Sequence, residues 1–228
     1  MHEMMRKVLK NIAKRYSGIL TKVYYLLMNN RVRGAKGNRF HHKDIYLCGL
    51  RLNFYGKGNE VILGGGKLSM LTNCHIAMHG SNCKVAIEGG VGAKDLTVYC
   101  ADSGSEVTIN EGTMISGKTE FAVMEGTKIM IGRGCLLSAN ITLRAGDSHS
   151  VIDSETGTRL NPSKDIIVGD HVWIGNTVIV TKGAIIGDNS VVATGSVVTG
   201  KTFPANSAIG GNPAKVIKEG INWKSEKV

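Results

Sequence analysis

Toward the C-terminus large aliphatic residues recur at every sixth position, as Val168, Ile174, Val180, Ile186, Val192 and Val198. Neither a helical period near 3.6 nor the two-residue alternation of a half-buried strand produces that spacing. Glycine follows at Gly169, Gly175 and Gly187, and four positions after each aliphatic residue stand Val172, Val178, Ala184, Ser190 and Ser196, all compact. A large inward aliphatic, a small corner residue and a second compact inward side chain describe one flat side of a triangular coil. Three sides close a turn, and turns stack at about 4.8 Å so that backbone hydrogen bonding continues along the axis. The pattern predicts an all-β solenoid.

The repeat extends upstream through Ile131, Leu137 and Leu143, with Cys135 and Ile141 in the compact slot. From about 45 to 130 only short alternating runs remain, such as Val85/Ile87, Leu96/Val98, Val107/Ile109 and Ile129/Ile131. Irregular earlier coils, or a small separate β region, are expected there. A polar stretch over 144–165 interrupts the repeat and is expected to protrude as a loop, where function concentrates. At the other end, Met5, Leu9, Ile12, Tyr16, Leu20, Val23 and Leu27 fall three or four apart, which predicts a basic amphipathic helix over 4–28 followed by a polar linker over 29–44. The expected divisions are 1–44 for helix and linker, 45–203 for the solenoid, and 204–228 for a cap and tail that include a short C-terminal helix.

Charge refines this outline. Of 28 Lys and Arg, ten lie in residues 1–39 against the single acid Glu3, whereas the remaining 18 bases and 17 acids nearly cancel. A neutral body with a basic N-terminal segment argues against a nucleic-acid partner. The segment suits either an anionic inner-membrane surface or packing on protein, with a cytoplasmic, peripheral location in the first case. The apolar run from Ile19 to Met28 is short and interrupted by Lys22, so it predicts neither a membrane span nor a signal peptide. Cys48, Cys74, Cys83, Cys100 and Cys135 form no CxxC pair and fit a reducing compartment, with Cys135 read as core.

The run IIVGDHVWIGNTVIVTKGAIIGDNSVVATGSVVTG from Ile166, followed by PANSAIGGNPAKVIK, resembles the hexapeptide-repeat acyltransferases, nearest to galactoside and maltose O-acetyltransferases and to enzymes that decorate bacterial surface polysaccharides. That resemblance implies a left-handed parallel β-helix, a homotrimer with active sites between subunits, and acetyl-CoA as co-substrate. It implies that His149, in the segment DSHS before the VWIG coil, is the catalytic base. A sugar hydroxyl is a poor nucleophile until its proton leaves, and a neutral imidazole accepts that proton near neutral pH. A single histidine can take the proton and return it to the leaving thiolate, so direct transfer is the economical mechanism. By the same resemblance Trp173 and Asn176 border the thioester, Thr194, Gly195 and Thr199 the pantetheine arm, and Lys215 and Lys218 the nucleotide phosphates. An extra residue between Thr199 and Pro204 departs from the sugar acetyltransferases.

Several points stay open at this level. Asp147, Asp153, Glu155 or a backbone carbonyl are the candidates to orient the imidazole. Arg144 and Arg159 flank the loop and are candidate contacts to an acidic acceptor sugar. His171, His75 and His79 have no third ligand placed with them, so no metal is expected. The expected activity is O-acetylation of a surface polysaccharide or its precursor. The alternatives are N-acetylation of a sugar nucleotide, against which the absence of a Gly-rich nucleotide fold in 1–44 counts, and a non-catalytic scaffold or membrane adaptor.

Overall fold

A computed structural model describes residues 23–226. The chain winds through eight coils of a left-handed parallel β-helix with a triangular cross-section. Face A is an eight-stranded sheet. Its strands are Arg31–Arg33, Arg51–Phe54, His75–Met78, Leu96–Cys100, Thr119–Val123, Ile141–Arg144, Ile179–Thr181 and Val197–Val198, one for each of coils 1 to 8. Faces B and C form one 15-stranded sheet, because the long strand Glu60–Thr72 passes around the corner between them. Coil 6, for example, contributes Ile141–Arg144 to face A, Ile166–Val168 to B and Trp173–Ile174 to C.

The six-residue pattern maps onto the inside of the wall. Val168, Ile174, Val180, Ile186, Val192 and Val198 are all buried, as are Val172, Val178, Ala184, Ser190 and Ser196 in the compact slot. Register pairs such as Ile174 with Val192 and Val180 with Val198 are eighteen residues apart, so like stacks on like. Each such aliphatic side chain contributes roughly 1.5–3 kcal/mol by leaving water.

Coils 2 to 5 are built on the same plan with longer turns. Along face A, Leu52, Ile76, Val98, Phe121 and Leu143 are successive partners at separations of 24, 22, 23 and 22 residues. They are all fully buried and continuous with the rest of the core, so 45–130 belongs to the same solenoid rather than to a separate β region.

Two expectations are corrected at the ends. Residues 29–44, expected as a polar linker, contain the strand Arg31–Arg33 and the whole first half of Arg39–Cys48. Backbone pairing to coil 2 overrides their polarity, since inward Val32 and Phe40 suffice to seat them on the core. The amphipathic helix expected over 4–28 lies outside the described residues except for its last turn. There 23–27 are helical, and Tyr24 accepts from Leu47 N–H and donates to Leu47 C=O across the end of the solenoid. The short C-terminal helix is absent among the described residues. Ala214–Glu219 is instead a strand pairing antiparallel with Ser207–Gly211. β-branched Val216 and Ile217 favour extension, and the hairpin satisfies backbone groups that coil 8 would otherwise leave exposed.

Outside the wall, face C carries an apolar file. Tyr46, Met70, Gly92, Met114, Leu136, Trp173, Val191 and Ala208 are successive cross-strand neighbours. Face B carries a charged one in which Arg39 meets Glu60 at 2.9 Å and Glu106 meets Lys128 at 3.3 Å.

Candidate functional site

The loop after Arg144 leaves the corner between faces A and B in coil 6 and returns at Ile166. Its tip is a small hairpin, with an antiparallel bridge between Ile152 and Arg159. Its base is tied to the edge above and below. On coil 5, Glu125 accepts from Arg159 Nη2 at 2.6 Å and from Ser163 N–H at 3.2 Å. On coil 7, Lys182 Nζ donates to Asp147 and to the Asn161 carbonyl. Asp147 also accepts from Asn161 Nδ2 at 2.8 Å, and these two partners, Lys182 foremost, hold its carboxyl below the usual range. Glu125 is lowered likewise, chiefly by Arg159. Gly146 lets the loop start so close to its end, because a Cβ there would lie 2.0 Å from Ser163 Oγ.

His149 stands exposed on this frame. Its carbonyl accepts from Asn161 Nδ2 at 2.8 Å, while Asn161 Oδ1 accepts from Val151 N–H at 2.6 Å. Asn161 therefore grips the backbone on both sides of His149. Two of the candidate orienting carboxylates are engaged elsewhere. Asp147 faces Lys182 and Asn161, and Asp153 accepts from the Glu155 and Thr156 amides and the Thr156 hydroxyl, closing the tip. Neither bonds the imidazole. Arg144 donates to Ser148 Oγ at 2.8 Å, beside His149, and lies 3.8 Å from a Glu120 carboxylate oxygen, a looser pairing than that of Arg159 with Glu125 at 2.6 Å.

The residues expected to border the co-substrate lie mostly on another side of the prism. Trp173, 38% exposed, sits in the outward file of face C. Through Val191 and Ala208 that file continues to Lys218, so Trp173 and Lys218 share one line along the axis. Asn176, Thr194 and Gly195 lie at the corner between faces C and A, Lys215 is exposed on the terminal strand, and Thr199 alone is on the corner that carries the loop. Gly175 makes room for Thr194, since a Cβ there would lie 2.9 Å from its Oγ1. Within one chain, then, His149 projects from the corner opposite the face that holds Trp173.

Three residues with no signal in the sequence also take part, two on the Trp173 side of the prism and one on the loop. Trp223 stacks on His171 at 4.3 Å and 11°, donates to the His171 carbonyl at 2.7 Å, and lies 6.0 Å from Trp173. Thr177, next to Asn176, has left-handed backbone geometry at φ 56°, which a β-branched residue adopts only under strain. Asn161 is the third. His171 is itself a corner residue at φ 54°, its Nδ1 3.2 Å from Asn189 Oδ1. Among the described residues no group of His, Cys, Asp or Glu is disposed to hold a metal ion.

Residues 165–200 match the family described as bacterial transferase hexapeptide (six repeats). A polysialic acid O-acetyltransferase of Neisseria meningitidis is 32% identical over 76% of this chain and 79% of its own length. One of Escherichia coli O1:K1 / APEC is 36% identical over 54% of this chain, a stretch that spans only 39% of that relative. The crystallographic structure of the polysialic acid O-acetyltransferase OatWY superposes with a TM-score of 0.74 at 29% identity, covering 84% of this chain and 92% of that one.

Proposed function

The chain belongs to the hexapeptide-repeat O-acetyltransferases, the family that includes the polysialic acid O-acetyltransferases, and from that premise we propose that it O-acetylates a sugar hydroxyl of a bacterial surface polysaccharide or its precursor, with acetyl-CoA as donor and His149 as general base. The observation that carries the assignment is an exposed histidine held through its backbone by Asn161, on a loop pinned to two coils by Glu125 and Lys182. A rigid support for an otherwise uncommitted imidazole is what base catalysis needs.

Acetyl-CoA would supply an acetyl group activated as a thioester. The exposed Trp173, Thr194 and Lys218 along face C and its corner suit an apolar arm ending in phosphates, with Lys215 adding a second cation. His149 takes the acceptor's hydroxyl proton as the oxygen bonds to the acetyl carbon, then returns it to sulfur as the C–S bond breaks. Because His149 and Trp173 fall on opposite sides of one prism, the working site is formed between two copies. A homotrimer in which each loop reaches its neighbour's co-substrate groove supplies that arrangement, and the apolar file of face C offers contact area for it. Arg144, close to His149 through Ser148, is the better placed of the two arginines to meet an acidic sugar.

The test is acetyl transfer to a panel of neutral, amino and acidic glycans, with coenzyme A release followed in parallel. His149→Ala is expected to lower turnover by about 10²–10⁴-fold while the protein remains folded and oligomeric. Undiminished thiol release in the variant would overturn the base assignment. Transfer to an amino group in preference to hydroxyls would favour the N-acetylating alternative. The basic N-terminal segment, by the same reading, holds the enzyme to an anionic inner-membrane surface; liposome flotation that survives its removal would refute that part.

A further inference from the structure

We propose that face A and its corner with face B, on the N-terminal side of the loop, form an extended subsite for an acidic glycan chain, gripping the acceptor several sugar units away from the reacting hydroxyl. This rests on the functional reading above and extends it from one hydroxyl to a polymer.

Three aromatic rings from successive coils stack along this corner. Tyr55 and His79 lie 4.2 Å apart at 16°, and His79 and Tyr99 5.0 Å apart at 51°. They are not core: Tyr55 is 64% exposed and Tyr99 38%. Because the ring faces lie against one another, a chain running along the corner meets their edges, a row of Tyr hydroxyls and imidazole nitrogen spaced by one coil, suited to hydrogen bonds with the hydroxyls and carboxylates of a sugar chain.

The stack is aligned with the loop. Tyr99 belongs to an outward file in which its successive neighbours toward the C-terminus are Ala122 and then Arg144, the residue from which the loop departs. Two inter-strand steps put Tyr99 about 10 Å from Arg144 along the axis, with His79 and Tyr55 in the next coils beyond. A chain lying along the corner with one unit at His149 therefore passes over these rings. The opposite direction is taken, since the residues suited to the donor occupy coils 6 to 8.

Charge selects the kind of chain. The segments 31–37, 51–59 and 75–83, which make face A and this corner in coils 1 to 3, contain Arg31, Arg33, Lys36, Arg51 and Lys57 and no acid, and the corner of coil 4 adds only Asp102, whose carboxylate accepts from the Glu125 amide. On face B the cations are matched by carboxylates of neighbouring coils, as in Arg39 with Glu60 and Lys128 with Glu106. On face A, Arg31, Arg33 and Arg51 have no carboxylate partner among the described residues. Unneutralised guanidinium groups on the same face as the stacked rings, with Arg33 in the file of Tyr99 and Arg31 and Arg51 two residues back along their strands, fit a polymer bearing one carboxylate per unit.

A purely structural staple between coils would affect all acceptors alike, which defines the test. A Tyr55→Ala/Tyr99→Ala double variant and an Arg33→Ala/Arg51→Ala double variant are compared with wild type, using a sialic acid trimer and long polysialic acid as acceptors and measuring kcat and KM for each. Polymer binding without acetyl-CoA is measured by affinity electrophoresis. Each double variant is expected to raise KM and weaken binding for the polymer by about tenfold, leaving kcat and the trimer's KM unchanged. Equal effects on trimer and polymer, or none on either, overturn the subsite while leaving the O-acetyltransferase reading intact. A wild type that acetylates no glycan, acidic or neutral, overturns the functional reading and the subsite with it.

Discussion

Asn161→Ala is the sharpest probe of how the loop serves the reaction. Its amide makes three short hydrogen bonds, to the His149 carbonyl and the Asp147 carboxylate at 2.8 Å and from Val151 N–H at 2.6 Å. Exposed hydrogen bonds contribute about 0.5–1.5 kcal/mol each and are not additive within one network. Losing all three should therefore disfavour the ordered loop by about 1–3 kcal/mol, a five- to 150-fold change in the ratio of ordered to open forms. Lys182, Glu125 and the tip hairpin remain, which places the expected fall in kcat near the lower end, about tenfold. KM for acetyl-CoA should not move, because Asn161 bonds only loop residues and Lys182 and none of the residues suited to the donor. The melting temperature should hold within about 2 °C, since none of the lost bonds belongs to the core. Steady-state kinetics with hydrogen exchange of 145–165 reads all three quantities. Faster exchange in the loop with an unchanged kcat would refute the idea that presentation of His149 limits the reaction; a loss as deep as that of His149→Ala would mean that Asn161 touches the reacting atoms.

Other outcomes follow from the same geometry. Ile186 and Ile185 are adjacent but face opposite sides of the wall, at 1% and 37% exposure, so in thermal or urea melts Ile186→Ala should cost about 2–5 kcal/mol and Ile185→Ala well under half of that. Thr177→Asn should relieve left-handed strain and stabilise by about 1 kcal/mol, whereas Gly195→Ala should cost about 1–2 kcal/mol although no atom lies within 4 Å of the new Cβ, because φ there is +74°. The Asp147 and Glu125 carboxyls are depressed in the folded chain, so what they contribute is fully present above the unfolded carboxylate range near 4 and is lost only as pH falls through the lowered values. NMR titration should find both midpoints below that range, with Lys182→Met raising that of Asp147; a midpoint at or above the ordinary value in the wild type would contradict the anchoring.

How far the sequence reveals this molecule depends on coil length. Between Val168 and Val198 each side of the triangle takes six residues, so inward positions such as Ile174 and Val192 announce themselves by period alone. In coils 2 to 5 the strands are longer and the turns vary, so Leu52, Ile76 and Val98 are equally inward yet share no fixed spacing with their neighbours along the chain. The loop is legible as a break in the period, and His149 through the resemblance. Asn161 is not, because its role arises only when the two ends of the loop meet. The same holds for Trp223, which reaches His171 from the end of the chain, and for the ring stack, whose members are separated by whole coils. The tail, expected to include a short helix, departs for another reason: the open edge of coil 8 offers a partner, and Val216 and Ile217 already favour the extended form that Ala214–Glu219 takes.

The in-register parallel stacking of face A makes the molecule a ruler. Every coil advances the same distance along the axis whether it holds eighteen residues or twenty-four, so sequence length and axial length are decoupled, and turns can lengthen without moving any side chain up or down the wall. Only the number of coils sets the interval between Tyr99 and the loop. Removing the one whole coil between them would shorten that interval by a single step of about 4.8 Å, though it would take the Glu125 anchor of the loop with it; spacing along this surface changes in discrete increments, the natural currency for a partner that is itself built from repeating units.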